Sequence, residues 1–295
     1  GIPLAVALAI VGGYFLAGRV LAPVGRMADK ARRMTAESLA ERLPVVNPRD
    51  EFGRLGTVFN DMLSRVQDSF ESLRRFTADA SHELRTPLTA MRSVGEVALQ
   101  ADRDPARYRD VIGSMLEEVD RLTALVENLL TLTRADAGKI AVNREVSDLR
   151  EFASSTANHL RPLAEENQQS LELEPGRPTM ASFDPKILRL ALVNLIHNAI
   201  KYAPTGGRVR LRVKTRSNGD AVVEVDDNGP GIPVEHRERV FERFYRIDSG
   251  RASDTGGAGL GLAIARWAVE ANGGRIEVEN GAPSGSVFRI VLIKD

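Results

Sequence analysis

The sequence predicts a multidomain fold: a transmembrane helix, a coiled helical region, and then an α/β sandwich. Three patterns predict it. Residues 1–18 carry no charge, apolar residues recur at three- and four-residue steps from 52 to 129, and short β-like runs alternate with helical segments from 139 to 295. A chain of 295 residues can hold several units that each bury a core.

Composition narrows the possible functions. The chain has 40 Lys and Arg against 40 Asp and Glu, so no basic excess points to nucleic acid, and no nucleic-acid partner is expected. It contains no Cys, which excludes disulfides and Cys-ligated zinc and agrees with a reducing compartment.

The uncharged run 1–18 would cover roughly 27 Å as a helix, just short of a hydrocarbon core of about 30 Å. A buried soluble helix and a signal peptide are the alternatives, but a signal peptide has its basic residues before the apolar run. Here they follow it, at Arg19, Arg26, Lys30, Arg32 and Arg33. This order favours a membrane anchor with everything after Arg19 in the cytoplasm. Because the chain starts within the apolar run, we expect it to be truncated inside a transmembrane helix.

Residues 19–70 read as a helical linker. A helical pattern runs from Arg19 to Met34 with Pro23 near its start, where a missing N–H is tolerated. Two prolines within 38–50 indicate an extended connector, and Asp50 is placed to cap the helix that follows.

Residues 71–138 predict an antiparallel helical hairpin. The seam of the first helix is followed by a break at 101–107, and a second helix then repeats the pattern up to Gly138. Nothing nearby covers the two apolar stripes, so we expect a homodimer in which two hairpins form a four-helix bundle. The seam residues are Phe52, Leu55, Phe59, Met62, Val66, Leu73, Phe76, Ala80, Leu84, Leu88 and Met91, then Ile112, Met115, Val119, Leu122, Val126 and Leu129.

Residues 139–295 form the predicted α/β sandwich, a mixed sheet covered by one layer of helices. Helices are expected at about 147–167, 184–202 and 259–272. The β-like runs that alternate with them are 139–146, 170–175, 208–215, 221–229, 275–280 and 286–295.

The stretch "SHELRTPLTAMR" (81–92) starts like a zinc-binding H-E-x-x-H helix, but Thr86 stands where the second ligand would be. His82 lies about 200° around the helix from Ala80 and Leu84, so it should face solvent. An exposed neutral imidazole is nucleophilic, and Glu83 can accept the Nδ1 proton while Nε2 attacks. The alternative is an ordinary surface histidine beside a solvated glutamate.

The segment "NLIHNAIKYAP" (194–204) sets two amides, Asn194 and Asn198, one helical turn apart on one face. Their oxygens suit Mg²⁺, whose other positions water and phosphate can fill. Lys201 could meet phosphate oxygens and Tyr202 offers a stacking plane.

Three further segments complete the pattern. "DNGPGI" (227–232) ends an apolar strand, where Asp227 can accept from an exocyclic amine and Gly229 and Gly231 allow close approach. "FERFYR" (241–246) presents Arg243 and Arg246. "GGAGLGLAI" (256–264) is a Gly-rich loop that opens a helix, a place where phosphates meet backbone N–H groups.

Together these segments resemble the sensor histidine kinases of bacterial two-component systems. "FTADASHELRTPLTAMR" resembles the phosphoacceptor H box, and the four segments above resemble the N, first glycine, F and second glycine boxes, in order. Residues 19–70, with Pro23 and "DEFG" at 50–53, resemble the HAMP signal-relay linker. The resemblance implies a protein of the bacterial inner membrane with cytoplasmic kinase domains, divided into residues 1–18, 19–70, 71–138 and 139–295.

The resemblance also implies a chemistry. His82 would take the γ-phosphoryl group of ATP with Glu83 as acid/base, and would pass it to an Asp in the receiver domain of a response regulator. Thr86 would position the water that dephosphorylates the regulator. Asn198 and Asn194 would hold Mg²⁺. The implied ATP-binding residues are Asn194, Asn198, Lys201, Tyr202, Asp227, Gly229, Gly231, Arg243, Arg246, Gly257, Gly259, Leu260, Gly261 and Leu262.

Two positions depart from the family. Ala258 stands where Thr or Ser is usual and offers no hydroxyl to phosphate, and His197 occupies a variable N-box position that often carries a polar or acidic residue. Two other readings stay open. Another ATPase of the same superfamily would lack the His-bearing hairpin, which this chain has. A membrane-anchored, non-enzymatic scaffold that binds ATP or a regulator would be favoured by loss of His82, Asn198 or Asp227, and all three are present.

Overall fold

A computed structural model describes residues 1–4, 6–7, 10–15, 40–45, 48–100, 105–247, 257–281 and 284–294. They divide into two compact units, 1–81 and 82–295. Within these ranges no helix combines the length and hydropathy needed to cross a bilayer. The predicted anchor is described only in part, and the helix expected from Arg19 to Met34 lies outside the described residues.

In the first unit, helix α1 (Glu51–Gln100) starts at the predicted cap, and it continues into the second unit. The Asp50 carboxylate accepts from the Gly53 amide at 2.7 Å, which satisfies one of the free N–H groups of the first turn. Asn60 on α1 exchanges two hydrogen bonds, of 2.8 and 3.0 Å, with the backbone of Leu43. These bonds hold the extended connector along the helix, as the two prolines predict.

In the second unit, α2 (Pro105–Asp136) packs against α1 in the antiparallel sense. A Cβ on Gly95 would lie 3.8 Å from Met115 Cε, and Leu84 joins a cluster with Leu125 and Leu129. Residue numbers therefore rise along α1 while those of the contacting residues on α2 fall, so the two helices are antiparallel. The predicted hairpin is confirmed.

The rest of the second unit is the expected sandwich. Among the described residues, five strands form a mixed sheet, namely β2 (Ser170–Leu173), β4 (Arg208–Thr215), β5 (Ala221–Asp227), β6 (Arg275–Asn280) and β7 (Ser286–Leu292). Their order across the sheet is β2-β4-β5-β7-β6, and of these neighbouring pairs only β2 and β4 are parallel. Helices α3 (Leu149–Glu166), α4 (Pro185–Tyr202) and α5 (Gly261–Ala271) supply the helical side of the core.

A small second sheet corrects one strand prediction. β1 is Glu145–Asp148 rather than 139–146, and it pairs antiparallel with β3 (Met180–Phe183), which the sequence pattern did not indicate. Each strand ends in an aspartate cap. Asp148 accepts from the Arg150 amide at the start of α3, and Asp184, directly after β3, accepts from the Lys186 amide at the start of α4. The pair therefore fixes where the first two helices of the sandwich begin.

Candidate active site

The histidine turn of α1 presents its imidazole to solvent. His82 is exposed, whereas Leu84 is half-buried against the α2 cluster, so the predicted orientation of His82 is confirmed. The Thr86 hydroxyl donates to the His82 carbonyl at 3.2 Å. Its only proton is therefore used on the helix, and its lone pairs stay available to a water. Glu83, directly beside His82, is half-buried.

A polar face of α4 meets the start of α5. The Asn194 amide nitrogen donates to the Leu190 carbonyl at 2.8 Å, and its oxygen is directed at Gly261, where a Cβ would lie only 2.5 Å away. A side chain at residue 261 would therefore clash with the Asn194 oxygen and force the amide to move. Asn198, one turn along, is half-buried, and its amide makes no hydrogen bond to a described residue.

Two cations converge at the far end of this face. Arg246 donates to the Gly257 carbonyl at 2.8 Å, and a Cβ on Gly257 would lie 2.8 Å from Lys201 Nζ. Burial and the nearby Arg246 guanidinium lower the pKa of Lys201 to about 8. The ammonium also lies 5.0 Å from the centre of the Tyr202 ring. Positive charge that is partly removed from water in this way attracts an anion.

Asp227 ends β5 and is 4% exposed. Its Oδ1 accepts from the backbone amides of Gly229 at 2.8 Å and Ser286 at 3.2 Å. Burial raises the pKa of this carboxyl, while the two amide bonds act in the opposite direction. A Cβ on Gly229 would lie 2.8 Å from the Tyr202 carbonyl, and Gly231 has a φ of +79°. The glycines therefore let the 227–231 turn close onto the end of α4.

In the Gly-rich segment, the leucine side chains pack into apolar clusters and the backbone lies towards the site. The Phe244 amide donates to the Gly259 carbonyl at 2.9 Å, which pins the segment to the loop after Arg239–Phe241. Leu260 is 1% exposed in the cluster with Leu125 and Leu132, and Ala258 packs against the same cluster. Leu262 packs against the sheet core. The backbone of this segment, rather than its leucines, is placed to meet a ligand.

Arg243 and Arg246 point to different partners. Arg243 makes two hydrogen bonds to the Asp136 carboxylate, of 2.6 and 2.8 Å, at the end of α2. The pair uses two of the five N–H donors of the guanidinium. Sequence reasoning missed Asp136, because it lies 107 residues from its partner and belongs to no motif. The structure therefore brings together Asn194, Lys201, Arg246, Gly257 and Gly261. The turn that carries Asp227 lies against the C-terminal end of α4, at the Tyr202 carbonyl.

Comparisons with known proteins show which families the chain resembles. Residues 15–68 match the HAMP domain, 72–138 match the His Kinase A (phospho-acceptor) domain, and 183–295 match the "Histidine kinase-, DNA gyrase B-, and HSP90-like ATPase" family. The chain is 36% identical over 288 residues to the sensor protein CutS of Streptomyces coelicolor, which covers 97% of this chain and 68% of CutS. The chain belongs to the sensor histidine kinases.

Further relatives and solved structures also resemble the chain. The sensor protein IrlS of Burkholderia pseudomallei is 35% identical over 277 residues, which is 94% of this chain but 59% of IrlS. The Acinetobacter baumannii histidine kinase AdeS matches 72% of this chain and 96% of the AdeS chain, at 25% identity and a TM-score of 0.58. Full-length ShkA, whose crystal structure was solved in complex with AMPPNP, matches 73% of this chain and 44% of its own, at 28% identity and a TM-score of 0.54.

Proposed function

We propose that this chain transfers the γ-phosphoryl group of Mg-ATP to His82 and then to an aspartate of a response regulator, and that it also dephosphorylates the regulator. The observation that carries the proposal is the convergence of Lys201, Arg246 and the Gly-rich backbone beside a buried Asp227, in one compact unit with an exposed His82. Lys201, Arg246 and the Gly-rich backbone suit phosphate, Asp227 suits an adenine amine, and His82 supplies the nucleophile for phosphoryl transfer. ShkA, whose structure was solved with AMPPNP, supports the choice of nucleotide.

The residues divide the work as follows. The Asp227 carboxylate accepts from the adenine amine, and the exposed face of Tyr202 covers the base. Lys201 and Arg246 neutralise the phosphates, with backbone amides of 257–262 completing the cradle. His82 Nε2 attacks the γ-phosphorus, so an N–P bond forms while the bond to the β–γ bridging oxygen breaks and ADP leaves. The Nδ1 proton passes to Glu83. A regulator carboxylate oxygen then attacks phosphorus, the N–P bond breaks, and the imidazole recovers its proton.

Magnesium is part of the proposal, held by Asn198 and Asn194. In the described ranges no three or more His, Cys, Asp or Glu side chains come together as a metal site. The donors that are present are a half-buried Asn198 amide with no hydrogen-bond partner among the described residues and the Asn194 oxygen that is directed at Gly261, and they fit a cation that completes its shell with water and phosphate. When bound, the ion supplies positive charge to the phosphate oxygens.

The proposal includes a homodimer and a membrane anchor, with residues 1–18, 19–70, 71–138 and 139–295 as its domains. Support for the dimer comes from large apolar side chains that one hairpin leaves exposed, namely Leu88, Ile112, Leu116, Val119 and Val126. A second hairpin would cover them, as the match to the phospho-acceptor domain suggests. Support for the anchor comes from the uncharged run 1–18 followed by basic residues.

The decisive experiment replaces His82. The full chain is incubated with γ-labelled ATP and Mg²⁺, and the label is tested for acid lability and base stability. His82→Gln should abolish the label and leave binding of a non-hydrolysable ATP analogue unchanged, because nucleotide and nucleophile are held by different elements. His159→Gln, at an exposed histidine of α3, is the matched control and should label like the wild type. Acid-labile label on the His82→Gln variant would overturn the assignment.

A further inference from the structure

One buried side chain outside every sequence motif closes the end of α4. Gln169, which is 7% exposed and lies just before β2, places its Nε2 at 2.9 Å from the Ile200 carbonyl, 2.8 Å from that of Ala203 and 3.3 Å from that of Pro204. A helical Ile200 carbonyl would normally accept from the amide of residue 204. Pro204 has no N–H, so Gln169 supplies the missing donor.

The orientation of this amide is unambiguous. All three neighbours of Nε2 are acceptors, so a flipped amide would set Oε1 against three carbonyl oxygens. In this orientation, Oε1 is buried and has no hydrogen-bond partner among the residues that the structure describes. Buried acceptors are rarely left unpaired, so the contacts of the nitrogen must outweigh the loss at the oxygen.

Backbone and side-chain hydrogen bonds hold the loop after α4, residues 203–207, on both sides. On the β2 side, Gly206 donates to the Gln168 carbonyl at 3.1 Å and Ser170 donates to the Gly207 carbonyl at 3.0 Å. On the other side, the Arg208 amide donates to Asn228 Oδ1 at 2.8 Å. Asn228 follows Asp227 directly, and Gly229 is in close approach to the Tyr202 carbonyl. The loop 203–207 is therefore held between β2 and the 227–231 turn.

We infer that Gln169 is a positioning residue for the nucleotide. Its donors hold the last turn of α4, which carries Lys201 and Tyr202, in register with the turn that carries Asp227. The phosphate and base contacts come from these two segments, so the geometry of the whole site depends on the junction between them. The inference rests on the proposed function, and it assigns Gln169 an effect on nucleotide affinity rather than on the transfer step.

The test titrates the full chain with Mg²⁺ and a non-hydrolysable ATP analogue by calorimetry. Gln169→Met keeps the length of the side chain and removes its donors, so Kd should rise at least fivefold. Autophosphorylation should show a raised KM for ATP with a maximal rate within twofold of wild type. Gln168→Asn is the control. Residue 168 is exposed at a φ of 57°, a conformation that Asn tolerates, and its Kd should not change.

A second variant separates hydrogen bonding from packing. Gln169→Glu is nearly isosteric but sets a carboxylate against three carbonyls, and protonation turns it back into a donor. At each pH, the Kd of the Gln169→Glu variant is divided by the Kd of the wild type. This ratio should fall as the pH is lowered from 8.5 to 6.5. Arg161, Glu165 and Glu172 line the same surface groove and are present in both proteins, so the ratio removes their contribution.

The outcomes are distinct. Wild-type Kd for Gln169→Met, or a Gln169→Glu ratio that does not change with pH, would overturn the role of Gln169 while wild-type binding still supports the proposed function. A wild-type chain that does not bind the analogue at all would overturn the proposed function itself, and the inference with it.

Discussion

Arg243 and Asp136 form a two-pronged ion pair that joins the loop before the Gly-rich segment to the last turn of α2. Phe244, next in the chain, and Leu132, one turn before Asp136, belong to one apolar cluster with Leu260 and Ile264 of the sandwich. The pair therefore borders a contact through which the hairpin holds the segment that is proposed to meet phosphate.

We expect the apolar cluster, not the ion pair, to supply most of the stability of this contact. The side chains of Arg243 and Asp136 are 32% and 54% exposed, and a pair in such a position contributes less than about 1 kcal/mol. Leu132 is 1% exposed, so Leu132→Ala should lower the free energy of unfolding by about 2–5 kcal/mol. Urea unfolding, followed by circular dichroism, measures both contributions, with Leu132→Ala for the apolar cluster and Asp136→Asn for the ion pair.

Leu130→Ala provides the matched control, because Leu130 is on the same helix and 49% exposed. Its effect should stay below that of Leu132→Ala by at least about 1 kcal/mol. An Asp136→Asn loss equal to that of Leu132→Ala would show that the charge pair dominates the contact.

Asp227 should determine which base is bound. In Asp227→Asn the oxygen that accepts from the Gly229 and Ser286 amides is kept, while an NH₂ replaces the other carboxylate oxygen. That NH₂ opposes the amine of adenine but can donate to the O6 of guanine. Affinity for an ATP analogue should fall at least tenfold, about 1.4 kcal/mol, and the preference over the matching GTP analogue should shrink.

The neighbouring Asp226→Asn is the control for this substitution. Asp226 accepts from Arg210 and Arg212, at 2.8 and 3.1 Å, in a separate ion-pair network, so the variant should keep its preference for adenine. Unchanged adenine preference in Asp227→Asn, measured by competition between the two analogues, would remove Asp227 from base recognition.

The sequence predicted those parts of the site in which neighbours in the chain act together. Asn194 and Asn198 share a helix face by spacing alone, and Asp227 with Gly229 forms one turn, so local pattern was sufficient. Arg243 with Asp136, and Gln169 with Ile200, are joined only after folding, and their partners are 107 and 31 residues away. No periodicity marks such a pair, because each partner belongs to a different element.

One strand prediction, at 139–146, is wrong for a related reason. The run at 139–146 has the alternation of a strand, yet pairing begins only at Glu145, where β3 lies opposite. Strand bounds depend on the partner, and β3 is a short segment with no pattern of its own. The five-stranded sheet was easier to predict because β4 alternates apolar and polar residues and β7 is largely apolar and buried.

Lys201 should make nucleotide binding sensitive to pH near 8. Burial and Arg246 lower its pKa to about 8, so the ammonium is present below that value and is lost as the pH rises through it. At pH 9, Lys201 remains charged in only about a tenth of the free protein molecules. Affinity for a non-hydrolysable ATP analogue should therefore fall about five- to tenfold between pH 7 and pH 9, measured by calorimetry.

Lys201→Arg tests the cause directly, since a guanidinium stays charged across this range. The variant should bind with a weaker pH dependence, whatever its affinity at pH 7. Parallel curves for the two proteins would mean that another group titrates.

Thr86 should separate the two activities that are proposed for one helix turn. Transfer to His82 requires the imidazole, Glu83 and an oriented nucleotide, and no step uses the hydroxyl of Thr86. Dephosphorylation of the regulator requires a water in line with phosphorus. The Thr86 hydroxyl donates its proton to the His82 carbonyl, so its lone pairs can accept from that water and orient it beside the imidazole.

Thr86→Ala should therefore keep autophosphorylation within a few-fold while slowing decay of the phosphorylated regulator at least tenfold, about 1.4 kcal/mol of lost transition-state stabilisation. Thr86→Ser keeps the hydroxyl and should retain most of the activity. Thr89 is exposed on the same helix and donates to the Arg85 carbonyl at 2.9 Å, so Thr89→Ala removes an equivalent bond without the proposed water and serves as the control. The assay follows labelled regulator with each kinase variant and ADP. If Thr86→Ala and Thr89→Ala dephosphorylate the regulator equally fast, the Thr86 hydroxyl serves only the helix, and the water must be held by another group.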